Sequence, residues 1–209
     1  MDFVAARQTM VDSQVRTNDV TDRALQAALL ATPRETLCPK DKAFAAYAEI
    51  EVELGAGRRL MIPRDVSKLL QAVEARPGER ALVIGGPYAA AVLAAMGLKV
   101  TAQEADAAVL DSLKSGLDAA GVETAVGPFD QPAGADWDVI VSEGGVAEVP
   151  QAWMDALNVG GRLAVVEREG PTGKATLYVR TPQGLSRRRL FDAAPAILPG
   201  MERKPAFQF

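Results

Sequence analysis

The sequence predicts an α/β fold, a doubly wound and mostly parallel sheet with an antiparallel C-terminal hairpin, preceded by an N-terminal helical segment. Three observations predict it. From Arg80 onward, short apolar runs alternate with helix-length segments over short links, the rhythm of parallel strands joined by crossover helices. Gly85-Gly86, Gly97, Gly121 and Gly160-Gly161 punctuate the boundaries of those runs. After Glu167 the rhythm gives way to strand, turn and strand around Thr181-Pro182-Gln183-Gly184.

The elements follow in order. Val20-Thr21 before Asp22-Arg23-Ala24-Leu25 reads as a helix start, with Thr21 as N-cap and Val20 packing onto Leu25. Ala24, Leu25, Ala28 and Leu29 make one apolar stripe, and Pro33 stops the helix. A loop-rich stretch with Cys38, Tyr47 and a Gly55-Ala56-Gly57 turn follows. Pro63 opens a second helix with Val66, Leu69, Leu70 and Val73 on one face, ended by Pro77-Gly78. Strands are expected at 81–84, 99–103, 122–126, 137–142 and 162–167. Helices are expected at 87–96, from a cap at Asp106 to Gly121, and at 150–157. Residues 174–180 and 185–191 form the terminal hairpin, and Phe207 and Phe209, alternating across Gln208, read as a last strand. The chain of 209 residues is expected to be one domain, 1–209, with a helical front segment 1–78 and a Rossmann-like core 79–209.

Composition narrows the chemistry. Histidine is absent, which excludes Ser-His-Asp and Cys-His catalysis and imidazole metal sites. A single cysteine, Cys38, excludes an internal disulfide and a thiolate zinc site; it reads as a small buried apolar residue in a reducing, cytoplasmic setting. No metal is expected. A net charge of −4 argues against a nucleic-acid partner. Residues 1–15 carry charges throughout and no long apolar stretch, and are expected to be neither a signal nor a membrane anchor. Arg187-Arg188-Arg189 reads as a solvated strand edge, and Trp153 and Met154 as core. Oligomeric state is left open.

In open α/β sheets, ligands lie beyond the carboxyl ends of strands near the reversal of strand order. Two features fall there. Gly85 and Gly86 form either a ligand cradle or a tight strand-to-helix turn, with the amides of the helix after Pro87 available to an anion. Glu104, ending the second core strand about twenty residues downstream, sits where dinucleotide folds hold ribose hydroxyls. Ser142, with Glu143 beside it at the end of the fourth core strand, is a further candidate cofactor contact; both also suit turn formation. The loop is neither GxGxxG nor a phosphate-binding Walker loop, which speaks against a nicotinamide-dependent oxidoreductase. An open cavity beside Glu104 would support a ligand role, whereas Pro87 or Tyr88 filling it would not.

A resemblance runs through nearly the whole chain. Met10-Val-Asp-Ser-Gln-Val-Arg16, Val20-Thr-Asp22, Pro33-Arg34-Glu35, Ala46-Tyr47, Leu54-Gly55-Ala-Gly57, Pro63 and Arg76-Pro77-Gly78-Glu-Arg80 occur in the order found in protein L-isoaspartate O-methyltransferases. Trp137-Asp138-Val-Ile140, Glu148-Val149-Pro150 and Leu157-Asn-Val-Gly160-Gly161-Arg162-Leu163 continue it. The resemblance implies a Rossmann-like methyltransferase sheet, S-adenosylmethionine as cofactor, and protein or peptide substrates carrying isoaspartyl residues, whose side carboxylate is methylated. A carboxylate attacking a sulfonium methyl needs no general base, which suits a chain without histidine.

The sequence departs from that family at three polar positions. Val83 stands where an acidic residue ends the first core strand, and the glycine loop is shorter. Gly127-Pro128 replaces a Gly-Asp after the third core strand, and the resemblance offers Asp130, in a different register, as the substitute cofactor contact. Met61, ahead of Ile62-Pro63, stands at the family's catalytic-site serine and donates no hydrogen bond. Two readings follow: an S-adenosylmethionine-dependent protein carboxyl methyltransferase, or a degenerate, non-catalytic member that keeps the fold as a binding or interaction module.

Overall fold

The computed structural model describes residues 1–203. The front segment begins with helix α1 (Phe3–Met10), a π-helical turn (Val11–Val15) and helix α2 (Arg23–Ala31). The N-cap of α2 is Asp22 rather than Thr21: its carboxylate accepts from the amides of Ala24 and Leu25 at 2.8 and 3.1 Å. The Thr21 amide is instead bound by the Gln71 side chain at 2.6 Å. Val20 and Leu25 are both buried, and α2 ends two residues before Pro33.

The stretch read as loop contains a small antiparallel hairpin, strands β1 (Val52–Gly55) and β2 (Arg58–Leu60). Gly55 and Gly57 supply the turn with φ of +105° and +74°. Helix α3 (Pro63–Ala72) opens at Pro63 as expected but stops well before Pro77. Glu74 reverses the chain with a φ of +45°.

Strands β3 (Arg80–Ile84), β4 (Lys99–Glu104), β5 (Glu123–Val126), β6 (Trp137–Val146), β7 (Leu157–Glu167), β8 (Gly173–Thr181) and β9 (Gly184–Ala193) form one sheet in the order β5-β4-β3-β6-β7-β8-β9. The five strands from β5 to β7 run parallel, and β8 and β9 are antiparallel additions. The order reverses at β3, which lies between β4 and β6, so the crevice for a ligand is expected past the tips of those three strands. The last predicted strand, at Phe207 and Phe209, lies outside the described residues.

Both faces of the sheet are covered, which is why the central runs 81–84, 139–141 and 163–166 are apolar at consecutive positions rather than at every second one. Ala81, Val83, Val139, Val141, Ala164 and Val166 face one core with α3, helix α4 (Pro87–Ala95) and helix α5 (Ala107–Ala119). Leu82, Ile84, Ile140, Leu163 and Val165 face the other, against Trp153 of helix α6 (Gln151–Asp155), Phe129 and Leu198. The front segment adds Met10, Val11, Val15 and Leu25 to the first core.

Candidate functional site

The glycine loop forms as the sequence suggests. Gly85 has a φ of +65°, and Pro87 takes the first position of α4. Glu104 ends β4, and Asp106 caps α5 by accepting from Ala108 and Val109. The loop and Glu104 therefore come together at the strand tips.

The space between them is not hollow. Arg58, on β2, reaches in and donates from Nε to both Glu104 oxygens, at 3.0 and 3.3 Å. The two side chains are 3% and 5% exposed. The Glu104 carboxylate also accepts from the amide of Ala105 at 2.8 Å. Nη2 of Arg58 donates to the Gly85 carbonyl, and its guanidinium lies 5.2 Å from the centre of the Phe129 ring. Leu198 closes the other side: a Cβ built on Gly85 would stand 2.7 Å from Arg58 and 2.8 Å from Leu198.

The start of α4 is taken as well. Its Ala89 amide, expected to be free for an anion, donates to Glu143 Oε2 at 2.8 Å. Glu143 is wholly buried, and a Cβ on Gly86 would overlap it. Burial raises its carboxyl to about 7, against the opposing pull of Arg34 and the α4 amides. Arg34, also wholly buried, stands 4.0 Å from Glu143 and 4.4 Å over the Tyr88 ring. It donates to the carbonyls of Ala46 and Met61. Arg34 Nη1 and Glu143 Oε1, 4.0 Å apart, and Tyr88 OH are buried and make no hydrogen bond.

The other candidates scatter. Ser142 is buried within β6, which continues to Val146 rather than ending there, and its hydroxyl bonds the Gly144 carbonyl at 3.1 Å. Asp130 is exposed and borders a separate acidic cleft of about 700 Å³ with Glu148, Glu167 and Glu169. Val83 and Met61 are core residues. The Gly127-Pro128 turn is held by the Gln103 amide, which donates to the Pro128 carbonyl at 2.8 Å. Cys38 is buried, which pushes its thiol pKa up, as suits an apolar role. Trp153 is core, Met154 half-buried, and Arg187 pairs with Glu167 on an exposed strand. Among the described residues there is no cluster of metal-ligating side chains and no helix long and apolar enough to cross a membrane.

The residues missed from sequence are Arg34, Arg58 and Leu198. Arg58 is 46 positions from Glu104 and sits in an Arg-Arg pair of which one member points inward. Local pattern carries no mark of that pairing.

A family model described as protein-L-isoaspartate(D-aspartate) O-methyltransferase matches residues 5–184. The chain belongs to that family. A protein-L-isoaspartate O-methyltransferase of Methylorubrum populi is 35% identical over 197 residues, covering 91% of this chain and 92% of that protein. Another from Methanoculleus marisnigri is 34% identical, covering 75% and 74%. Two solved structures share the fold. One, a protein-L-isoaspartate O-methyltransferase, has a TM-score of 0.79 at 21% identity and covers 94% of this chain and 67% of its own. The other, from Plasmodium falciparum and in complex with S-adenosyl-L-homocysteine, has a TM-score of 0.79 at 16% identity, covering 92% and 97%.

The methyl donor of this family is S-adenosylmethionine. In this arrangement its adenosyl group does not fit: the acid suited to ribose is paired, the α4 amide is bonded, and the glycine cradle is packed by Arg58, Leu198 and Glu143. Tyr88 is fully buried against the Arg34 guanidinium. Binding requires these groups, Arg58 first, to move.

Proposed function

We propose that this protein is an S-adenosylmethionine-dependent protein-L-isoaspartate O-methyltransferase, acting on the side carboxylate of isoaspartyl residues in damaged proteins. The match of the family model across residues 5–184 carries the reading. Glu104 at the β4 tip, beside the Gly85 turn, agrees with it and is the residue that would hold the ribose hydroxyls. The absence of histidine is no obstacle, because an ionised carboxylate needs no base to act as a nucleophile.

The alternative reading is a closed scaffold that has lost catalysis. The strand tips are occupied by the chain's own Arg58, Leu198 and Glu143. Incubation of the full chain with methyl-labelled S-adenosylmethionine and an isoaspartyl peptide separates the two. Base-labile label on the isoaspartyl peptide, and none on its aspartyl counterpart, is the expected result. No label on either peptide would leave only the scaffold.

A further inference from the structure

Arg58 does more at the strand tips than balance a charge. Its guanidinium pairs with the Glu104 carboxylate, bonds the carbonyl of the Gly85 turn and lies over the Phe129 ring. An acid, a glycine turn and an aromatic face are the three kinds of group that an adenosyl ligand would use in this crevice. We propose that Arg58 is a tethered occupant of the cofactor site, which an adenosyl ligand must displace from Glu104 in order to bind. The inference rests on the methyltransferase reading only for the identity of that ligand.

Two structural features make displacement feasible. The β1–β2 hairpin that carries Arg58 is a sheet of its own, so it can shift without breaking a hydrogen bond of the seven-stranded sheet. Its turn runs through Gly55, Ala56 and Gly57, all with positive φ, where the backbone turns sharply at the protein surface. The competition is intramolecular. A side chain held on a short tether presents itself at a high effective concentration, so the ligand binds more weakly than the pocket alone would allow. The exchange is also unequal in charge, because ribose hydroxyls are neutral donors and the guanidinium is a cation.

Calorimetric titration with S-adenosylhomocysteine of the full chain, Arg58→Gln and Arg58→Ser tests the proposal. Gln keeps one donor within reach of Glu104 and protects against failure to fold, which circular dichroism and thermal melting monitor. Both variants are expected to bind at least about tenfold more tightly than the unmodified chain. In the unmodified chain, the Arg58 Nε–H resonance is expected to exchange slowly with water and to shift at saturating ligand. Folded variants that bind no tighter, or an Arg58 resonance indifferent to bound ligand, would overturn the proposal and mark the pair as purely structural. Methyl transfer by the unmodified chain with no gain in the variants sinks the occupant and leaves the enzyme. Tighter binding by the variants with no methyl transfer sinks the enzyme and leaves the occupant. Silence from every protein sinks both.

Discussion

Glu143 is where a single residue sets a property of the whole. Its carboxyl is held at about 7 by burial, above its ordinary value of 4.5, so the native chain binds a proton that the unfolded chain releases. The contribution to stability is full below about pH 4.5 and is lost as pH rises through about 7, amounting to on the order of 3 kcal/mol. Arg34, Tyr88, Arg58 and the Ala89 amide act on it, and none of them is a second carboxyl. Urea melts between about pH 5 and 8 should show stability falling with pH in the unmodified chain and a flatter profile in Glu143→Gln. An unchanged slope would assign the titration elsewhere. Gly85 gives a second test. Its φ of +65° disfavours any side chain, and an added Cβ would meet Arg58 and Leu198 within 2.8 Å. Gly78 has a φ of +86° but open space around it. Gly85→Ala should therefore cost about 3 kcal/mol and Gly78→Ala about 1, the difference reporting how tightly the strand tips are packed.

Among the elements, helix starts were readable because their signals are local. Pro63 and Pro87 open α3 and α4, and Asp106 caps α5. The α2 cap slipped by one residue, since Thr21 and Asp22 are both good caps and the choice depends on Gln71 binding the Thr21 amide. Asp22→Ala should lower stability by about 1 kcal/mol and Thr21→Ala by less than about 0.5, as read by thermal melting. The β1–β2 hairpin is not legible in the sequence because strands of 4 and 3 residues leave too little periodicity. The true length of β6 was hidden by Gly144 and Gly145, which look like a stop. They lie inside the strand because the segment 195–198 passes close by: the Gly145 amide donates to the Ala196 carbonyl at 2.9 Å, and a Cβ on Gly144 would overlap Leu198.

For the molecule as a whole, the strand tips are where three distant parts of the chain meet. The front segment sends Arg34 and Arg58, the core supplies Gly85, Glu104 and Glu143, and the tail sends Leu198. Leu198 has no exposed surface, so Leu198→Ala should cost about 2–5 kcal/mol in chemical denaturation, a large effect for a residue outside every helix and strand. A loss under about 1 kcal/mol would show that the tail does not brace the tips.

The parallel strands, their helices and the position of Glu104 follow from local pattern, because apolar runs, proline starts and glycine stops act over a few residues. Whether the crevice beside Glu104 is open depends on side chains arriving from far along the chain, and burial of a charge pair obeys geometry that no local spacing encodes. Composition and order were enough for the scaffold and its ancestry. The occupancy of the site was settled by folding, which brings Arg58 and Leu198 onto the strand tips and buries them there.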